Sequence, residues 1–282
     1  MRFQWAIRIG MLFAAVTPFV FVPAVARAQA GVSVPSTGLN NSSTQTQATR
    51  QMEEVQQQQL GDPKTASAYD SFVKQKNPDK KIKQGKDFIN RYPSDYRTQG
   101  VYEQLAQLYN SQHDMADFYS CTDRGITLYP NDATLLSLAG FVITHEYKPA
   151  DADGAKNLEK AEMYENRALN SIGTMKAPEG MSDEQVAAYK KQVLGLAHGA
   201  LGLIYFRQSK FQESVTEMLE ATQAEASPDA TDYLVLGADY QNLDRFKDAA
   251  DAFNHCAQID GPLQSGCKEY ADSSTKQAAA GK

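Results

Sequence analysis

Apolar residues recur along this chain at helical spacing, and from about residue 63 the spacing itself recurs. Tyr233-x-x-Leu236-Gly237-x-x-Tyr240 is followed by Ala249-x-x-x-Phe253 and Pro262. His198-x-x-Leu201-Gly202-x-x-Tyr205 is followed by Ser214-x-x-x-Met218 and Pro228, and Gly202 and Gly237 are 35 residues apart. Tyr102-x-x-Leu105-Ala106-x-x-Tyr109 keeps the spacing with alanine in place of glycine, and Leu135-x-x-Leu138-Ala139-x-x-Val142 follows it 33 residues later. A period of this length is two helices with their turns, a unit that buries its apolar face only against its neighbours.

The elements follow from where that period starts and stops. Ala66 to Gln75 reads as a short helix, and Asn77-Pro78 opens the next, which ends at Tyr92-Pro93. Ser94 opens the helix that contains Tyr102, and its partner runs from Asp114 to Leu128, before Pro130 forbids continuation. In the copy from Leu135 the pattern is stretched. Pro149 to Gly154 form a longer connection to a helix carrying Ala161, Tyr164 and Ala168, and a loop from Lys176 to Met181 follows. Ser182-x-x-Gln185 is a capping-box start to a long helix running to about Gln208, on the order of 40 Å. Gly195, Gly199 and Gly202 share one face of it and let a neighbouring helix approach. The last pair, Thr231 to Leu243 and Phe246 to Ile259, is followed by a Gly261-Pro262 turn and a capping helix from Leu263 to about Ser273. Residues 274–282 read as a frayed tail.

The first 62 residues are different material. Arg2 and Arg8 precede an apolar run from Ile9 to Val25, which is broken by Pro18 and Pro23 and followed by Ala28-Gln29-Ala30. That is the layout of a signal peptide over residues 1–30, with cleavage before Gly31 and a retained membrane anchor as the alternative, and it implies an exported, periplasmic or extracellular protein. Residues 31–62 are rich in Ser, Thr, Gln and Asn and cannot bury enough surface to order themselves, so they read as a disordered tether. The folded domain is expected over 63–273. Losing the three arginines of the signal leaves 25 basic against 34 acidic side chains, a charge of −9 against −6 for the whole chain. An acidic surface with scattered cations argues against nucleic acid as a partner. No second apolar stretch is long enough for stable membrane insertion after cleavage.

Together these positions resemble the tetratricopeptide repeat (TPR). Tyr233, Leu236, Gly237, Tyr240, Ala249, Phe253 and Pro262 all fit its pattern. The other copies depart from it at His198, Ser214, Met218 and Phe118, and at the insertion after Leu135. The resemblance covers about 63 to 262. It implies an all-α fold, a TPR-like α-solenoid of antiparallel helix pairs with a C-terminal capping helix. It also implies a concave face, lined by the first helix of each pair, that grips a peptide or helix of a protein partner. Candidate groove residues are Gln107, Asn110, Thr144, Phe206, Arg207, Gln241 and Asn242. The Lys/Asn lining with which some TPR domains hold a C-terminal carboxylate has no counterpart here. The function this implies is a non-enzymatic scaffold or adaptor of the cell envelope. Competing readings are a soluble module for a small ligand or glycan, and a regulatory subunit of an envelope enzyme.

Site chemistry adds little. His113, His145, His198 and His255 lie apart, and none has a second ligand three or four residues away. Asp151-Ala152-Asp153-Gly154 with Glu162 departs from a calcium loop, because the glycine is early and Ala155 takes a ligand position. Helix capping by Asp151 or Asp153 is the simpler account. No phosphate loop, nucleophile elbow or repeated carboxylate pair occurs, so the expectation is no catalysis, no metal and no cofactor. Of the three cysteines, Cys256 on the last repeat helix and Cys267 just past the Gly261-Pro262 turn are candidates for a disulfide. The alternative is two buried thiols.

Overall fold

The computed structural model describes residues 63–175, 181–224 and 229–281. The signal peptide at 1–30, the tether at 31–62, most of the Lys176–Met181 loop, Pro228 and Lys282 lie outside the described residues. The described residues form eleven α-helices and one short 3-10 turn, with no strand among them, and the fold is all-α. No helix among them is long and apolar enough to cross a membrane. The chain divides into two compact units, the division falling after Gly125.

In the N-terminal unit α1 spans Pro63–Lys74, α2 Pro78–Arg91 and α3 Thr98–Ser111, and α4 (Met115–Leu128) crosses the division. Asn77 caps α2 by accepting from the Lys80 N–H, with Pro78 at the first helical position. The unit is closed around Phe72, Phe88, Leu105 and Phe118, all at most 2% exposed. Gly85 makes the closure: a Cβ there would stand 2.8 Å from Leu105 and 2.9 Å from Phe72. α3 starts at Thr98 rather than Ser94. The Asp95 carboxylate accepts from the Arg97 N–H and, at 2.8 and 2.9 Å, from its guanidinium, which holds Tyr92–Arg97 as turns.

The C-terminal unit holds α5 (Ala133–His145), α6 (Gly154–Ser171), α7 (Asp183–Arg207), α8 (Phe211–Ala224), α9 (Ala230–Asn242), α10 (Phe246–Gln258) and α11 (Gln264–Ala279). α5 is apolar almost all round because it packs on both α6 and α7. Asp132 caps it through the Leu135 N–H. Asp153 sits at the N-cap of α6 but makes no capping bond, contrary to expectation, and instead pairs with Lys156 in solvent. α7 opens with the capping box of Ser182 and Gln185. Its glycines serve close packing, since a Cβ at Gly202 would lie 2.8 Å from Met218 and one at Gly199 3.0 Å from Asp232. Thirty-five residues on, Gly237 receives Phe253 in the same way, at 2.5 Å.

Three helix–helix turns share one geometry. His113, Ser209 and Asp244 have φ of 55°, 59° and 58°, left-handed for residues that carry a Cβ. The N–H after each bonds back to a tyrosine carbonyl: Asp114 to Tyr109 at 3.0 Å, Lys210 to Tyr205 at 2.9 Å and Arg245 to Tyr240 at 2.8 Å. The turn after α5 departs from this. Glu146 and Tyr147 bond back to Val142 and Thr144, and the longer connection to α6 begins.

The capping helix is longer than its sequence predicts. α11 continues to Ala279, so residues 274–279 are helical rather than frayed. Ser274 is fully buried, donates to the Tyr270 carbonyl and accepts from Gln241, and the alanine run behind it is a strong helix former. Cys256 and Cys267 form a disulfide with Cα atoms 5.8 Å apart, tying α11 to α10.

Candidate functional site

The first helices of the C-terminal pairs, α5, α7 and α9, end in polar residues, and the candidate positions lie at those ends. Thr144, Arg207 and Asn242 are each at or next to the last residue of a helix. The structure joins the first two directly. Arg207 Nη1 donates to the Thr144 carbonyl in the last turn of α5, which also accepts from the Tyr147 N–H. The guanidinium carbon lies 4.9 Å from the centre of the Tyr147 ring, a cation–π contact. Desolvation brings the Arg207 pKa from 12.5 down to about 10, so it stays charged at neutral pH. Beside Thr144, the exposed His145 ring stacks on Phe141 at 3.9 Å, and its Nδ1 lies 2.9 Å from the Phe141 carbonyl.

The other candidates divide between packing and surface. Thr144 is fully buried, its hydroxyl donating to the Gly140 carbonyl, so its side chain cannot reach a partner. The spacing places it on the helix face that receives α7, and burial follows from that. Phe206 packs on the core cluster of Leu203, Met218 and Phe253 and meets Phe211 edge-on at 6.0 Å. Truncating it therefore weakens the fold as well as any interface. Gln241 donates to Ser274 at 2.8 Å, and Asn242 turns back to the Ala238 carbonyl, also at 2.8 Å. Gln107 is exposed and Asn110 half-buried on α3, in the other unit.

Next to Arg207, Glu162 of α6 accepts from Gln208 at 3.2 Å, and the Tyr205 hydroxyl lies 3.5 Å from it. Tyr147, which meets the guanidinium, was not among the sequence candidates. It lies in the stretched connection, where the period gives no register. His198 is half-buried and shares a 2.7 Å hydrogen bond with Glu217 in addition to packing.

Two carboxyls lie fully inside this unit. Glu165 faces Gly140 across the α5–α6 interface, and burial raises it well above the ordinary carboxylate range, an effect that the polar groups of Ser137 and Phe141 only temper. Asp239 meets the Ser214 hydroxyl at 2.5 Å, and burial raises its pKa to about 8. Two surface hollows, of about 170 and 230 Å³, lie beside Gly261-Pro262 and between Tyr233, Tyr240 and His255, and neither carboxyl lines them. Both are smaller than the roughly 300–1,000 Å³ usual for small-molecule sites. Among the described residues no group of three metal-ligating side chains converges. Cys121 is a buried free thiol donating to the Tyr102 carbonyl, and burial pushes its pKa up to about 12, which leaves it unreactive. No protein-family model matches the chain, and neither does any curated protein.

Proposed function

We propose that this chain is a TPR-like α-solenoid scaffold that binds a protein partner on the face formed by the first helix of each pair. The observation that carries the reading is the repeated turn. The same left-handed residue and the same bond to a tyrosine carbonyl recur at Ser209 and Asp244, 35 residues apart, and at His113. A chain that rebuilds one helix pair in this way consumes its apolar faces in packing and leaves the polar ends of its first helices as a recurring surface. The protein acts without catalysis, cofactor or metal. Its place is outside the cytoplasm, which the Cys256–Cys267 disulfide favours, since such bonds persist in oxidising compartments. The test is a set of photo-crosslinking residues placed at Gln107, Asn242 and Arg207 of the full chain in its native cell. Stoichiometric crosslinks to one protein are expected. Crosslinks confined to probes in residues 31–62, with none from the helix ends, would refute this reading.

A further inference from the structure

Charge in this protein is segregated along the chain. Residues 63–91, which contain α1 and α2, carry eight basic and three acidic side chains, a net charge of +5. Residues 92–282 carry 16 basic and 28 acidic side chains, a net charge of −12. The basic excess is exposed. The buried face of α2 is Gly85, Phe88 and Ile89, while Lys80, Lys83, Asp87 and Arg91 follow one another at helical spacing on its outer face. Part of this charge is neutralised within the fold, since Lys74 pairs with Asp70 and Lys86 with Asp117. Lys76, Lys80, Lys83 and Arg91 meet no carboxylate among the described residues. Asp79, at the start of α2, accepts instead from the Gln112 amide at 3.0 Å.

We infer that the outer face of α2, with Lys76 in the turn before it, is an electrostatic docking surface for an anionic lipid bilayer. Two observations favour a bilayer over an acidic protein. The stripe of Lys80, Lys83, Asp87 and Arg91 holds no aromatic or aliphatic side chain, so it lacks the desolvated anchor that usually holds a protein partner. Lysine, a hydrated point charge on a flexible stem, suits headgroups in no fixed order. The helix pair also lies close in sequence to the one segment apolar enough to enter a bilayer, since Val25 ends that run 38 residues before Pro63. Because α2 buries its apolar face in its own unit, the contact is peripheral: cations meet headgroups and nothing inserts. The acidic excess elsewhere is repelled by the same surface, which turns α2 toward the bilayer, and acids more than about 10 Å from it are largely screened.

The experiment takes the protein purified from its native cell, with whatever processing residues 1–30 undergo, and titrates it with vesicles in a co-sedimentation assay. One set is phosphatidylcholine and phosphatidylglycerol in about equal parts, at about 0.1 M salt. Vesicles of phosphatidylcholine alone supply the baseline, which contains any contribution of the apolar run. The anionic vesicles should bind at least about tenfold more tightly, and that excess should vanish at about 1 M salt. Lys80→Gln/Lys83→Gln/Arg91→Gln should remove most of the excess. Lys247→Gln/Lys268→Gln/Lys276→Gln, at exposed positions of the other unit, removes the same charge and should leave it in place. All six side chains are exposed, and an unchanged urea midpoint confirms that each triple variant is folded. Equal binding to the two kinds of vesicle would overturn the assignment, as would equal effects of the two triple variants. So would loss of the excess on adding poly-glutamate at the same charge concentration, which would mark an acidic polypeptide as the better ligand. None of the six positions carries a crosslinking probe for the scaffold reading, so the two claims fall separately.

Discussion

The Ser214 hydroxyl lies 2.5 Å from an Asp239 carboxyl oxygen and 2.8 Å from the Gly202 carbonyl, with serine and aspartate both fully buried. A hydroxyl has one proton. A carbonyl can only accept, so the serine proton goes to Gly202, and the proton between serine and aspartate must belong to Asp239. Asp239 is therefore a neutral acid joining α9 to α8, and its partner joins α8 to α7. No charged group contributes to its shift. Desolvation raises it to about 8, against the lowering effect of the Ser214 hydroxyl.

Asp239 should make stability fall as pH rises. An unfolded aspartate ionises near 3.9 and the folded one near 8, so between those values the folded state holds a proton that the unfolded state has released. The contribution is complete below about pH 4 and shrinks up to about pH 8, by on the order of 5 kcal/mol at most. Asp239→Asn keeps a donor toward Ser214 and removes the titration. Urea unfolding at pH 5 and pH 8 should show a steep loss in the parent chain and a flatter one in the variant. Equal slopes would show that Asp239 does not titrate as described.

Gly140 and Glu165 make a second test of buried acid. A Cβ on Gly140 would stand 2.3 Å from a Glu165 oxygen and 2.8 Å from its carboxyl carbon, in an interface where Glu165 is fully buried. Gly140→Ala should thus cost about 1–3 kcal/mol from overpacking, although alanine alone would favour the helix by up to about 1. Adding Glu165→Ala makes room, so the double variant should cost less than the two singles together. Additive costs would mean that the two residues do not press on each other.

The all-α class, the capping box at Ser182, the glycine notches at Gly199 and Gly202, and the cysteine pair as one of two alternatives were legible because each depends on near neighbours or on the period itself. The contacts of the candidate site were not. Ser214 stands where the next repeat has Ala249, and Asp239 falls at an unassigned position between Gly237 and Tyr240. Only the approach of α9 to α8 turns them into one pair. Thr144 looked like a groove residue because it is polar and late in its helix, while the face it occupies is set by how α7 crosses α5. Tyr147 lies in an insertion, and no periodic rule places an insertion.

The three cysteines should report the fold by their reactivity. Cys256 and Cys267 are joined, and Cys121 is buried with its thiol pushed up to about 12. Alkylation of the native protein should label none, alkylation after unfolding only Cys121, and alkylation after unfolding with reduction all three, as read by intact mass. The bridge closes a loop of separation 11, so reducing it should lower stability by about 2–3 kcal/mol. A native protein that alkylates at Cys256 or Cys267 would disprove the pairing.

The end of the chain offers the most direct test of where the fold stops. Sequence alone stops the capping helix near Ser273, whereas α11 runs to Ala279 and buries Ser274 against Gln241. Deleting residues 274–282 would remove the last turns of α11 and leave the Gln241 amide without its acceptor at a half-buried position. A lost hydrogen bond of this kind and the loss of packed helix should together cost about 1–2 kcal/mol. Ser274→Ala isolates the hydrogen bond and should cost about 1 kcal/mol of that, because the methyl group still fills the site. The two variants are compared by urea midpoint in the intact, oxidised chain, so that the disulfide holds the rest of α11 in place. If the truncated chain unfolds at the parent midpoint, the helix beyond Ser273 contributes nothing to the fold. If truncation costs no more than Ser274→Ala, the Gln241–Ser274 bond accounts for the whole contribution of that segment.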